Sequence, residues 1–281
     1  MKKLFYIFAA AVAMTLASCD QYDGDERFEE ITGENGSTGG DTGESFTRRI
    51  LVEDFTGQGC VNCPIGAQLL TQLKEEVYGE RMITVSMHAG GLSLGYPLHS
   101  ETAEEYMSAL SVKNNPALGI NKKTAWDGVI DNWTSLISQE AADETADMDI
   151  TMASTLNGRE LEVLYSVDFC NDVTDSLGVQ IYLIENDIID YQSTPQGHNE
   201  EYQHNHVFRM SLNDVWGKTL KGESGEIRYL KGEKYYGSTA KVTIPEDYNI
   251  DNCALVGYVF TYSDDETKHI AEVLNTNEAH L

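Results

Sequence analysis

Positive charge is what this sequence lacks most. Only 19 Lys and Arg residues stand against 46 Asp and Glu in 281 residues, a formal net charge of −27. Such a chain has no clustered cations to neutralise nucleic-acid phosphates and no basic face to lay on anionic lipid. Cysteine is scarce as well: five are too few for a disulfide scaffold, so their placement matters more than their number. No apolar run is long enough to cross a bilayer; the N-terminal one, residues 4–16, falls short of the ~20 residues required. Nor is there a serine nucleophile elbow, a phosphate-cradling loop or a dinucleotide fingerprint. What is present is 41% hydrophobic and 9% aromatic residues, enough to bury a core and to exclude global disorder. The length suits two domains.

Lys2 and Lys3 precede the short apolar run, which ends Leu16-Ala17-Ser18-Cys19. Residues 1–18 read as a signal peptide of lipoprotein type, with Cys19 as the lipid acceptor and mature N-terminus. An ordinary secretory signal with an incidental Cys19 is the alternative. Residues 19–46 are acid, Gly, Ser and Thr with few apolar side chains, and they read as a lipidated, flexible, self-repelling tether. An exported chain is in a compartment that permits disulfides.

Globular sequence starts near Thr47. Residues 50–55 read as a buried strand, and Ile65, Leu69, Leu73 and Val77 recur at helical spacing before Gly79. Residues 82–87 form a second strand pattern. Thr102 with Glu105 suggests a capped helix, Pro116 precedes a short strand, and Trp126, Ile130, Trp133 and Ile137 suggest a further helix. This alternation predicts an α/β domain over residues 47–147. Beyond it, Ile150, Met152, Leu161, Val163, Tyr165, Val167 and Phe169 alternate with polar residues, and the period of two returns at 179–184, 242–244 and 254–262. Residues 148–281 therefore predict a mostly antiparallel β-sandwich domain.

The motif that carries chemistry is Cys60-Val61-Asn62-Cys63-Pro64, placed between a buried strand and a helix. A helix N-terminus offers unsatisfied N–H groups and a positive dipole end, both of which stabilise a thiolate. Cys60 is then expected to be the exposed nucleophile with a lowered pKa, and Cys63 its more buried resolving partner. Zinc would need two more good ligands, and no second C-x-x-C exists. An inert structural disulfide is the other reading, since an oxidising envelope closes such pairs.

With these residues in place, 50–123 resembles a thioredoxin fold. The resemblance implies that Asp54, at the end of the strand before the dithiol, moves protons at Cys63, with Glu53 as the alternative if the register differs by one. It also implies that Pro116 is the cis-proline facing the dithiol. Gly59 departs from the pattern, because an aromatic residue usually precedes the first cysteine, and Val61-Asn62 is not a typical redox dipeptide. Glu53-Asp54-Phe55-Thr56-Gly57, the dithiol, Leu183-Ile184-Glu185-Asn186 with Gln192, and Tyr202-Gln203-His204-Asn205-His206-Val207-Phe208-Arg209 together resemble the 28-kilodalton outer-membrane lipoprotein family of Bacteroidetes. That similarity implies a thioredoxin-like domain, a β-sandwich and an outer-membrane address, with His204, His206 and Arg209 as family signature. Asp20 after the lipid cysteine would favour inner-membrane retention under the enterobacterial rule, whereas the acids from Asp20 to Glu26 resemble surface-export signals of Bacteroidetes lipoproteins.

Other constellations weigh less. His204 and His206, two apart, could share a strand face and add His198 as a third metal ligand; a hydrogen-bonded pair is the preferred reading, and neither a metal nor a cofactor is expected. His88 ends the second strand near the dithiol, as a tuning group or a plain polar residue. Asp247, Asn249 and Asp251 imitate the start of a calcium loop but lack its Gly and its final Glu, and read as a turn. Cys170 and Cys253 sit at strand ends that could meet in a structural disulfide; two buried free thiols are the alternative. Tyr229, Tyr235 and Tyr236 cluster in a stretch that suits a glycan or protein contact, or an ordinary hairpin.

Two functions follow. The first is thiol–disulfide exchange on envelope proteins, with Cys60, Cys63, Asp54 and Pro116 as the site. The second is a non-enzymatic surface lipoprotein that binds a host protein or glycan, using the thioredoxin-like unit as a scaffold. In both, the only membrane contact is the N-terminal lipid.

Overall fold

The computed structural model describes residues 27–28, 45–127, 129–220 and 228–281. The expected signal peptide, Cys19 and most of the tether lie outside the described residues.

The N-terminal half runs β1 (Phe46–Thr47), β2 (Ile50–Thr56), α1 (Cys63–Leu73), β3 (Met82–His88), α2 (Glu101–Ala109), β4 (Ala117–Ile120), β5 (Thr124–Asp127), α3 (Trp133–Glu140) and β6 (Thr145–Ala146). β2 and β3 are parallel, joined through α1, while β4 pairs antiparallel with β2, and β5 with β4. The resulting order β3-β2-β4-β5 is the thioredoxin-like arrangement expected for residues 50–123. Asn115–Pro116 is a cis bond leading into β4, beside the end of β2.

β2 is buried along its whole length because both faces of the sheet are covered. Ile50 and Val52 pack with Leu70 and Leu73 of α1 and Trp133 and Ile137 of α3. Leu51 and Phe55 face the opposite way, toward Tyr106 and Met107 of α2. Burying side chains of this size stabilises the fold by roughly 1.5–3 kcal/mol each. α1 and α3 approach closely at Gly66, where a Cβ would sit 2.8 Å from the Trp133 ring. The helical path continues from α1 through residues 74–78 and stops at Gly79 (φ 55°), as its position after the apolar spacing predicts.

The C-terminal half contributes β7 (Met148–Asn157), β8 (Glu160–Phe169), β9 (Leu177–Glu185), β10 (Ile188–Thr194), β11 (Gly197–His204), β12 (Val207–Ser211), β13 (Lys218–Thr219), β14 (Lys234–Ser238), β15 (Val242–Thr243), β16 (Cys253–Tyr262) and β17 (Ile270–His280). β12 lies parallel to β3 through Val207 and Ser86 and antiparallel to β9, which pairs with β16, and β16 with β17. One nine-stranded sheet therefore runs from β17 to β5 through both halves. The two halves, on either side of residue 147, meet in that sheet at the β3–β12 pair. β9 and β16 are buried on both faces: Tyr182, Ile184, Val256 and Tyr258 join the α2 core, and Val179, Ile181, Leu183 and Leu255 join the apolar face of the antiparallel sheet of β7, β8, β14 and β15.

Several local expectations need correction. Trp126 is not helical: it pairs with Leu118 in β5, and the helix begins only at Trp133. α2 is capped by Ser100, whose hydroxyl accepts from Ala103 N at 3.2 Å, rather than by Thr102. Cys170 and Cys253 do not bridge. Cys170 follows β8 in the smaller sheet and its thiol donates to the Asp147 carbonyl at 3.2 Å; Cys253 opens β16 in the larger sheet and donates to the Asn249 carbonyl at 3.3 Å. Their strands belong to different sheets, and each thiol is bonded to a backbone carbonyl rather than to the other sulfur. Tyr229 makes a bridge to Val173, and Tyr235 and Tyr236 lie on β14 beside β8.

Candidate functional site

Cys60 and Cys63 form a disulfide with their Cα atoms 5.4 Å apart. Cys63 is the first residue of α1, and its N–H donates to Cys60 Sγ at 3.2 Å. The helix N-terminus thus aims a donor at the first sulfur, as the motif's placement predicts. Exposure corrects the other half of that expectation: Cys60 is 2% exposed and Cys63 1%, so neither sulfur is an open nucleophile in the oxidised state.

The covering comes from the loop after β3 and from the β10–β11 hairpin. Gly59 N donates to the Leu92 carbonyl at 2.9 Å, and the Tyr96 ring lies against Gly59, filling the space beside the residue where an aromatic side chain was expected. Tyr96 stacks on Tyr191 of β10 at 5.6 Å between ring centres. Next to Tyr191, Gln192 Nε2 donates to the Cys60 carbonyl at 2.9 Å and the Gly57 carbonyl at 3.2 Å. Gln58 returns the grip, its Nε2 donating to the Tyr191 carbonyl at 2.9 Å and its Oε1 accepting from Leu98 N at 3.0 Å. Gln58, Tyr96 and Tyr191 were not singled out in the sequence. The signal available was the Thr194-Pro195-Gln196-Gly197 turn, which marks a hairpin in a polar stretch.

On the α1 side of the sheet lies a cavity of about 350 Å³. Cys63, Asp54, His88, Gln192, His204 and His206 line it, with Gln68 and Thr71 of α1 and Tyr202, Gln203 and Asn205 toward its rim. The two acids of β2 are now distinguished. Asp54 shares the cavity with Cys63; it is buried, Oδ1 has no protein partner, and burial pushes its carboxyl up to about 7. Glu53 points to the other face, 2.6 Å from Lys122 Nζ. His88 and His204 meet edge to face at 5.3 Å, and burial pushes both imidazoles, and that of His206, toward the neutral form.

His204 and His206 do meet at one site, though not as one strand face. His204 ends β11, and His206 takes a left-handed turn (φ 55°) before β12, where its carbonyl accepts from Ser86 N at 2.8 Å. His198 is elsewhere on the hairpin, bonded to Tyr191 Oη. Arg209 is a clamp away from the cavity: it pairs with Glu185 at 3.1 Å and lies 3.7 Å over the Tyr248 ring. Asn249 closes its own turn onto Asp251 N, and its N–H donates to Glu185.

No helix among the described residues is long and apolar enough to cross a membrane. No curated protein sequence matches the chain. Among solved structures, HBP35 of Porphyromonas gingivalis is similar in fold, with a TM-score of 0.67 and 17% identity over 84% of this chain and 76% of that one. A protein of Agrobacterium tumefaciens aligns over 83% of this chain and 94% of its own at 14% identity, but with a TM-score of 0.48. The model of the outer membrane protein Omp28 family matches residues 103–280. That match includes the 202–209 signature, of which residues 202–206 line the cavity, and begins after the dithiol. Covering more than half of the sequence, it shows that the chain belongs to the outer membrane protein Omp28 family.

Proposed function

We propose that the protein is an outer-membrane lipoprotein that exchanges thiols and disulfides with cysteine-bearing proteins of the cell envelope. Residues 1–18 serve as its signal peptide, Cys19 carries the lipid, residues 19–46 hold the globular part away from the membrane at the cell surface, and the β-rich C-terminal half is a β-sandwich that supports the hairpin. One observation carries the redox reading. The Cys63 N–H donates to Cys60 Sγ while the unpartnered Asp54 carboxyl shares a cavity with Cys63. In the reduced state Cys60 is the thiolate that attacks a substrate disulfide, because the helix N-terminus stabilises its charge. Cys63 then attacks Cys60 Sγ of the mixed disulfide and releases the substrate thiol. Asp54 accepts the Cys63 proton for that step, a role that a carboxyl near pKa 7 suits at neutral pH. Pro116, at the entry to β4, shapes the substrate groove.

A second reading has its own support. Both sulfurs are buried, and Gln192 ties the hairpin over Cys60, as a permanent clasp would be. The protein would then be a surface binding lipoprotein for a host protein or glycan. The reduction potential separates the two. A value above about −300 mV, together with mixed disulfides trapped through Cys60 in Cys63→Ala, supports exchange. A value below it, with no trapped partner, makes the dithiol a clasp and leaves the binding reading.

A further inference from the structure

The cavity is asymmetric about the disulfide. Cys63 lines it, whereas Cys60 does not and is held beneath the hairpin by Gln192. A second asymmetry runs along the bond: the Cys63 N–H donates to Cys60 Sγ, so charge is favoured on Cys60 when the bond opens. Four buried polar atoms of residues lining the cavity have no protein partner: Asp54 Oδ1, Thr84 Oγ1, His88 Nδ1 and His206 Nδ1. Unsatisfied groups of this kind are costly unless something in the space meets them. At about 350 Å³ the space is at the small end of ligand pockets, which span roughly 300–1,000 Å³. It admits a small molecule and excludes a folded partner.

We propose that this cavity binds a low-molecular-weight thiol, which reduces the disulfide from the Cys63 side. The proposal rests on the exchange reading above and names its electron donor. The thiol enters between Thr71 of α1 and Asn205 of the strand connection and gives its proton to the Asp54 carboxylate. Its sulfur attacks Cys63 Sγ. The Cys60–Cys63 bond breaks, and Cys60 leaves as a thiolate that accepts from the Cys63 N–H. A second small thiol, ionised by passing its proton through solvent to Cys60, attacks the small-molecule sulfur of the mixed disulfide. A small disulfide departs, and Cys63 takes its proton from Asp54. Two thiols are oxidised to one disulfide, and the protein gains two electrons and two protons. Protein substrates use Cys60 and the small donor uses Cys63, so the two half-reactions approach the pair from different sides.

The test uses cysteamine and cystamine as probes. Oxidised protein exposed briefly to cysteamine and quenched in acid should carry the adduct on Cys63, read by peptide mass mapping. In Cys60→Ser, cystamine should label Cys63 about tenfold or more faster than a polymer-linked disulfide does, because only the small probe enters. Thr71→Trp in that background should slow cystamine about tenfold, with the Cys60 thiol of Cys63→Ser as reference. An adduct on Cys60, or labelling of Cys63 indifferent to probe size and to Thr71→Trp, overturns the proposal and leaves the exchange reading standing. A disulfide that no thiol reduces in the folded protein overturns both.

Discussion

Glu53 and Asp54 are neighbours on one strand, both fully buried, yet the two faces of the sheet treat them differently. On the α2 face, Lys122 Nζ lies 2.6 Å from Glu53 and 3.8 Å over the Tyr106 ring. Burial pushes Glu53 up and Lys122 down, and their mutual attraction opposes both shifts. On the α1 face Asp54 has no counter-ion, and burial pushes its carboxyl up to about 7. One acid is held by a partner and the other by a proton. A buried ion pair is fixed, since losing either member strands the other charge. A buried carboxyl with an open cavity beside it can exchange its proton, which is what chemistry at Cys63 requires. Adjacent positions on a strand thus divide into structure and function because side chains alternate between faces.

The largest test of this division removes the partner. Lys122→Met should cost about 3–5 kcal/mol in guanidinium unfolding, and Glu53→Gln in the same chain should recover much of it. A loss below about 1 kcal/mol would mean that Glu53 is satisfied without Lys122. On the other face the sign reverses. Asp54 holds its proton more tightly folded, near 7, than unfolded, near 3.8, so its contribution to stability is fully present below about 4 and is lost as pH rises to about 7. Asp54→Asn should flatten that part of the stability–pH curve by about 4 kcal/mol and slow disulfide exchange on the order of 10²-fold. Parallel pH curves for the two proteins would remove the protonated acid from the account.

Access to the dithiol gives a smaller effect. Gln192→Ala removes the donor to the Cys60 carbonyl and should cost about 1–2 kcal/mol while raising the alkylation rate of Cys60 after reduction. An unchanged rate would show that the loop around Leu92 and Tyr96 alone does the covering. The smallest effect concerns the remaining pair of described cysteines. Cys170 and Cys253 should each alkylate on unfolding without reductant, and Cys253→Ala should cost about 1 kcal/mol of lost packing. A bridged peptide in non-reducing maps would contradict the two separate thiol bonds.

The readable parts of the chain were those encoded over short distances. The i, i+4 spacing from Ile65 to Leu73 and the stop at Gly79 reproduce α1 and its end, and the position of Cys60-Val61-Asn62-Cys63 puts the dithiol at that helix start. Trp126 misled because its spacing to Ile130 and Trp133 is helical, while pairing with Leu118 holds it in a strand. β17 went unread because register shifts at Val259/Phe260 and Thr261/Tyr262 interrupt its pairing and blur the period of two. The β10–β11 hairpin went unread for a different reason: β11 is exposed along nearly all of its length and has no apolar face to detect.

By itself the sequence determined the classes it excludes through missing cations and motifs, the dithiol at a helix N-terminus, and the acids beside it, since each depends on composition or on neighbours within a few residues. Tertiary structure alone decided that Asp54 rather than Glu53 shares a space with Cys63, that a hairpin from the other half covers Cys60, and that β12 joins the halves into one sheet. The last two outcomes turn on contacts between residues more than 100 positions apart, Gln192 with Cys60 and Ser86 with His206, where the partner is chosen by shape and by unsatisfied hydrogen-bonding groups at the docking surface.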